Sequence, residues 1–397
     1  MRPHAIRFGP GYLALALLLI AQSAGAVDES VVPAATADAM AQAASPQAIA
    51  EYRRLFREYQ QARAAFDEEA GAYWSSIAEK RRGRNARRRE HLAIGLDDYV
   101  LTQPPVYAGP RRPVNPEPEP EPEAKPRQHK AIPVVADLLQ AASVHFQWTP
   151  QKPASEVEFK RAYARVASVA GLTREQAVRV YSFETGGNGN YDMQSGLRSG
   201  RAISTAIGYN QLLTTNSVEL IAEQGHEFVR ELTQKAVQLS GAPRQAMDHK
   251  IAVLKKMVAY ARSVPDDWSQ HEKLADTPQG WALHAMVLDI DVGPLLQTHK
   301  LLTSVIFALA KGYNRPLSAA ELEMMNLTGD GSGLDMVTMP QALREQVPTS
   351  NFFQRSGYER NPVAIRHNTV AKLLAITDSR MDSNSNFPGA KELAAAF

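Results

Sequence analysis

From Pro46 to Ile94 apolar residues recur every third and fourth position. Tyr52, Leu55, Phe56, Tyr59, Ala62 and Phe66 form one stripe of an amphipathic helix in a heavily charged segment. Its end, Lys80 to Arg89, carries seven Lys or Arg residues in ten. Such a short block predicts a solvated helix end; the other use open to it is contact with anionic lipid, acidic wall polymer or nucleic acid. The pattern then breaks, with nine prolines between Thr102 and Pro126 and proline alternating with glutamate over 116–122. Proline cannot donate to a ladder and the glutamates repel one another, so this stretch predicts an extended polyproline-type spacer. Beyond residue 131 helix signals follow at short intervals and alternating strands are missing. Ser155 to Glu158, Thr173 to Gln176 and Ser318 to Glu321 read as capping boxes. Gly171, Gly225, Gly241 and Gly312 stand where helices should stop, Pro340 reads as a first-turn proline, and Asn368 or Thr369 can cap the last long helix. The expected class is mostly α, with about ten helices after residue 131.

The N-terminus changes the picture. Met1 to Tyr12 carries Arg2 and Arg7 and no acid, Leu13 to Ala21 is a short apolar run, and Ala24-Gly25-Ala26 is a small-x-small cleavage signal. These predict a secretory signal peptide over 1–26, the alternative being a retained anchor, and hence a periplasmic or secreted protein of a bacterial envelope. The remaining organisation is then a charged helical region over 27–95, a Pro/Glu-rich linker over 96–130 and a helical domain over 131–397. No integral membrane segment is expected after cleavage. With 44 Lys plus Arg against 42 Asp plus Glu, the near-balance argues against a nucleic-acid binder. Zero cysteines exclude disulfides, thiolate metal sites and a cysteine nucleophile. The histidines, His226-Glu227 included, never take zinc-site spacing, so no metal and no cofactor are expected. Thr328 to Asp335 lacks the closing glutamate of a calcium loop and reads as a glycine-rich turn. Gly186 to Gly189 has no following Gly-Lys-Ser/Thr and reads as a flexible lip, not a phosphate cradle.

The helix opened at Thr173 carries the chemistry. Ala177, Val178, Val180 and Tyr181 line one face, and Glu184 falls three and four positions after the last two, just before Gly186-Gly187. A carboxyl at the end of an apolar face is poorly solvated, which raises its pKa toward that of a general acid near neutrality. The helix's terminal carbonyls push the same way. Position alone equally allows a core-edge glutamate paired with an arginine.

Glu184-Thr185, followed by Ala206-Ile-Gly-Tyr-Asn-Gln-Leu212, resembles the core of the soluble lytic transglycosylase and goose-type lysozyme superfamily. There a Glu-Ser or Glu-Thr pair closes one helix and a Gly-x-x-Gln segment opens the next part of the glycan cleft. The resemblance covers about Thr173 to Asn314. It implies a lysozyme-like helical catalytic domain with Glu184 as the acid. Thr185, Tyr209, Gln211 and, through Lys311-Gly-Tyr-Asn314, Tyr313 would be substrate-binding residues. Tyr209-Asn210 departs from the usual Leu-Met, and the stretch between Glu184 and Gly208 is longer than typical. The implied activity is cleavage of the MurNAc-GlcNAc bond of peptidoglycan with a single glutamate. The muramic C6 hydroxyl then serves as internal nucleophile, giving 1,6-anhydro products. Asp192, the nearest second carboxylate in sequence, reads as a loop residue; across the bond it would make a hydrolase instead. The implied partners are peptidoglycan strands, with residues 46–94 available to an envelope protein. The rival reading is a non-catalytic wall-binding scaffold with the same fold.

Overall fold

The computed structural model describes residues 45–117 and 132–397. The predicted signal segment 1–26 and the later prolines of the predicted linker lie outside the described residues. What is described is mostly α-helical, and its β pairing is confined to isolated bridges between Gln194 and Leu212. Two compact units divide it, one built on residues 45–117 with Gln346–Asn351, the other on residues 132–345 and 352–397.

The first unit is organised by α1 (Pro46–Arg89), which Ser45 opens by accepting from the Ala48 amide at 3.2 Å. Tyr52, Phe56 and Tyr59 stack along the predicted stripe. Tyr107 packs edge-on against Phe66 at 5.4 Å, so the first part of the proline-rich segment lies along α1. Further on, Ala70, Ile77 and Arg84 are buried at intervals of seven, on one helix face. Arg84 stands where an apolar residue would be expected. It donates to Asp98 O at 2.9 Å and Asn351 O at 3.2 Å, and lies 4.4 Å over the Tyr99 ring. Lys80 donates to Asp97 O, Arg81 to Asn351 O and Arg87 to the Asp98 carboxylate. The basic block is therefore only in part the solvated helix end that its composition predicts, with Lys80, Arg82 and Arg89 exposed. It folds residues 97–98 and 351 onto α1.

The second unit begins with α2 (Val135–Phe146), α3 (Glu156–Val169), α4 (Arg174–Thr185), α5 (Thr214–Val237) and α6 (Gly241–Ala261). The short α7 (Trp268–Ala275) and α8 (Pro278–His284) lead to α9 (Gly293–Ala310). After it come α10 (Ala319–Thr328), α11 (Asp330–Thr338), α12 (Gln341–Arg344), α13 (Arg355–Glu359), α14 (Pro362–Arg366), α15 (Val370–Asn384) and α16 (Pro388–Ala396). One apolar core gathers Leu138, Phe228, Leu254 and Leu283, and a second gathers Phe159, Val180, Leu322, Met325 and Leu393. The middle helix α9 serves both, with Leu295 and Leu296 in the first and Leu301 and Phe307 in the second. No single described helix is long and apolar enough to cross a membrane.

The predicted caps at Thr173, Ser318 and Thr369 open α4, α10 and α15. Three glycine readings change, and the first is Gly241, which opens α6 instead of closing α5. Gly225 lies inside α5, where a Cβ would come within 2.3 Å of the Val258 side chain on α6. Likewise the Gly329 to Asp335 stretch is not a turn, because α11 starts at Asp330. A Cβ on Gly333 would meet Met325 Cα at 2.3 Å, so α11 packs backbone to backbone on α10. The loop after α4 is pinned, not a loose lip. Tyr181 Oη donates to Gly189 O at 2.8 Å, and the Ala390 amide of α16 donates to Gly187 O at 2.8 Å. Lys160, buried on α3, pairs with Glu392 of α16 at 2.6 Å.

Candidate active site

Helix α4 is fixed at its start by the reciprocal bonds of Thr173 and Gln176, whose amide also donates to Leu317 O at 2.9 Å. It ends where Gly186 turns left-handed at φ 67°. Glu184 therefore sits in the last turn, beside a rigid terminus, and is 4% exposed. Asn326 of α10 donates to its Oε1 at 2.8 Å, whereas its Oε2 is buried with no partner. Glu323, 1% exposed on the same α10, brings a second carboxyl within hydrogen-bond reach, and its Oε2 is likewise unpartnered. Two carboxylates cannot bond each other without a proton between them. Burial pushes Glu184 up to about 8, against the smaller pulls of the Lys300 charge, the Asn326 amide and a hydrogen bond with Glu323. Burial, then the neighbouring Glu184 charge, holds Glu323 well above the ordinary carboxylate range.

More carboxyls stand round this pair. On α5, Glu219 and Glu223 lie one turn apart and half-buried; burial first, then neighbouring acids, push them up to about 8 and about 7. Asp330 opens α11, accepts from Ser304 Oγ at 2.6 Å and is raised by burial. Lys300 on α9 is the cation whose charge acts on Glu184, Glu323, Glu219 and Asp330 alike. Among the described residues no group of side chains is arranged to hold a metal ion.

The other predicted site residues are placed differently. Thr185 Oγ1 donates back to Tyr181 O at 2.7 Å and is buried. Tyr209 is fully buried in a box of Phe159, Tyr163 and Tyr181 rings, with its hydroxyl donated to Glu156. In place of the expected glycan contact it braces the 207–212 turn against α4. Gln211 (φ 45°) turns its amide onto Gly208 O at 2.7 Å and Met193 O at 3.3 Å, closing the turn on itself. Asn210 is held by Gln297 of α9 through both its backbone amide, at 2.8 Å, and its side chain, at 2.7 Å. A side chain on Gly208 would strike that same Gln297 at 2.0 Å, which is why glycine stands there. Gln297 and Lys300 lie one turn apart, so α9 ties the turn to the carboxyl pair without a direct contact between Gln211 and Glu184. Tyr313 reaches Glu321 at 3.5 Å, under the Arg315 guanidinium at 4.7 Å, and does not join Glu184. Asp192 acts on Glu156 and Tyr191 instead of Glu184.

The partners of Glu184 thus come from Glu323, Asn326 and Lys300, which the sequence pattern does not single out. The signal for Glu323 is the one that finds Glu184, a carboxyl set among apolar neighbours, here Leu322, Met324 and Met325, all buried. Seven buried or half-buried polar groups from α4, α5, α9, α10 and α11 are thus linked by hydrogen bonds or by charge: Glu184, Glu219, Glu223, Lys300, Glu323, Asn326 and Asp330. No protein-family model, no curated protein and no solved structure matches the chain.

Proposed function

We propose that the chain is an exported peptidoglycan lytic transglycosylase whose helical domain is lysozyme-like and whose acid/base is Glu184. The observation that carries the reading is the state of that carboxyl. It is desolvated at the end of an apolar helix face, bonded on one oxygen by Asn326, and unpartnered on the other. Such a group is a carboxylic acid near neutrality, as protonation of a glycosidic oxygen requires. As the exocyclic oxygen leaves with the proton, the muramic C6 hydroxyl attacks C1 and returns its proton to Glu184. Glycosidases that use two carboxyls hold them about 5–9.5 Å apart with the sugar between. Glu323 touches Glu184, so no sugar ring fits between them, and this supports the single-acid reading over the two-carboxylate hydrolase. Glycan strands of the envelope are the proposed substrate.

The test is clearing of purified sacculi by the full chain. Glu184→Gln keeps the shape but cannot give a proton, so clearing should fall by about 10²–10⁴-fold. Wild-type products should end in 1,6-anhydromuramic acid, because an internal hydroxyl outcompetes water. Asp192→Asn should stay within a few fold of wild type. Reducing ends would instead make the enzyme a hydrolase. Wild-type pelleting with sacculi without any clearing would make the protein a binding scaffold.

A further inference from the structure

We propose that Asn326 is a positioning residue that fixes the acid proton of Glu184 on Oε2 and steadies the carboxylate once that proton has left. This rests on the reading of Glu184 as the acid. The geometry is one bond between two helices, from Asn326 Nδ2 of α10 to Glu184 Oε1 of α4 at 2.8 Å. Among the described residues no backbone or hydroxyl donor bonds either carboxyl oxygen, and Oε2 is buried without a partner. An amide N–H can only donate, so Oε1 is the accepting, carbonyl oxygen of the acid and the proton belongs to Oε2. The amide is held where it must be. Ser318 and Glu321 cap the start of α10, Thr328 Oγ1 donates to Met324 O at 2.7 Å in its last turn, and Leu322, Met324 and Met325 are buried.

In the reaction the proton passes from Oε2 to the glycosidic oxygen as the bond from that oxygen to C1 breaks. Negative charge then spreads over both carboxyl oxygens, and the Asn326 bond becomes charge-assisted. It is stronger in the transition state than in the resting acid, which is the condition for a bond to raise the rate. The C6 hydroxyl proton returns to Glu184 as the C6–O–C1 bond forms, and the resting bond is restored. Other groups act on the same carboxyl, Lys300 of α9 by its charge and Glu323, one turn before Asn326 on α10, by a hydrogen bond. On the other sides of α4, Asp378 and Asp382 of α15 are bound by Arg179, Glu392 of α16 by Lys160, and Glu156 of α3 by Tyr209. Asn326 is uncharged, so its bond holds at every pH at which these groups change state.

The test follows the carboxylic-acid C=O stretch of Glu184 by isotope-edited infrared titration of the full chain, identified as the band absent in Glu184→Gln. Asn326→Leu keeps the volume and removes the donor. Asn326→Met does the same with a flexible side chain, should leucine unsettle α10. Without the N–H bond the band should move to higher wavenumber. Its midpoint should rise by about one pH unit, because a donor to the charged form is gone. The clearing rate at saturating sacculi should fall several-fold, up to the factor of about ten that one unit represents. The half-saturating concentration should stay within about two-fold, since the bond acts in the transition state and not in binding. The alkaline limb of clearing should move up with the midpoint, which a residue that merely packs α10 would not cause. A band and midpoint unmoved in both variants, or a midpoint that falls, overturns the proposal even if Glu184→Gln abolishes clearing. Should both move as expected while wild type clears nothing, the placement of the proton stands and the glycan-cleaving reading fails.

Discussion

Arg84 and Arg82 are two residues apart in one basic run, and composition treats them alike. In the structure Arg84 is 1% exposed with its guanidinium on two backbone carbonyls, while Arg82 is exposed. Replacing Arg84 with Met leaves Asp98 O short of a donor and Asn351 O with Arg81 alone, a loss of about 1–3 kcal/mol; Arg82→Met should stay within about 0.5 kcal/mol. Hydrogen exchange at the Ile77 to Arg84 amides measures both, and equal protection in the two variants would remove Arg84 from its folding role. A run of charges announces itself in sequence, but the carbonyls that engage it belong to residues 98 and 351, and their approach is tertiary. The same limit governs the candidate site. Glu184 is legible because its apolar stripe and helix end are local. Glu323 and Asn326 are not, since nothing near either residue reports that α10 packs on α4.

Helix starts are legible because a cap is a local bond. Thr173 with Gln176 and Ser318 with Glu321 satisfy each other within three residues. Glycine is ambiguous at this scale, serving both as a stop and as a point of close approach. Gly225 and Gly333 belong to the second use, decided by Val258 and Met325 on neighbouring helices. Two glycines of α11 make this testable. Gly333 faces backbone atoms of Met325 that cannot give way, so Gly333→Ala should cost about 1–3 kcal/mol and push α11 off α10. Gly331 is exposed with nothing within 4 Å of an added Cβ, so Gly331→Ala should stabilise by about 0.4–1 kcal/mol. Urea denaturation reads the two signs. Because α10 carries Glu323 and Asn326, Gly333→Ala should also impair whatever Glu184 does, whereas Gly331→Ala should not.

At the scale of the whole molecule, carboxyls and histidines that folding desolvates set how stability follows pH. Glu184 and Glu219 rise from 4.5 to about 8 and Glu223 to about 7, burial being the main cause in each. Between pH 4.5 and 8 the folded chain keeps protons that the unfolded chain has released, so raising the pH favours unfolding. The buried histidines oppose this in a lower window. His284, between Ser217 Oγ and Thr205 O at 2.8 Å each, and His299 are lowered by burial from 6.5 to about 4. Between those values the unfolded chain takes up protons that the folded chain refuses, and stability rises with pH. Above pH 6.5 these histidines are neutral in both states and the carboxyls act alone. The thermal midpoint should therefore fall from pH 6.5 to pH 8, each kcal/mol lost lowering it by about 2–4 °C. Scanning calorimetry across that interval checks the sign. Glu184→Gln abolishes its own term and leaves Glu323 free to ionise against Lys300, so the fall should be shallower in that variant. A midpoint that climbs from pH 6.5 to 8, or a slope the Glu184 variant leaves unchanged, would mean that these carboxyls are charged in the folded chain. Glu184 could not then give a proton at neutral pH.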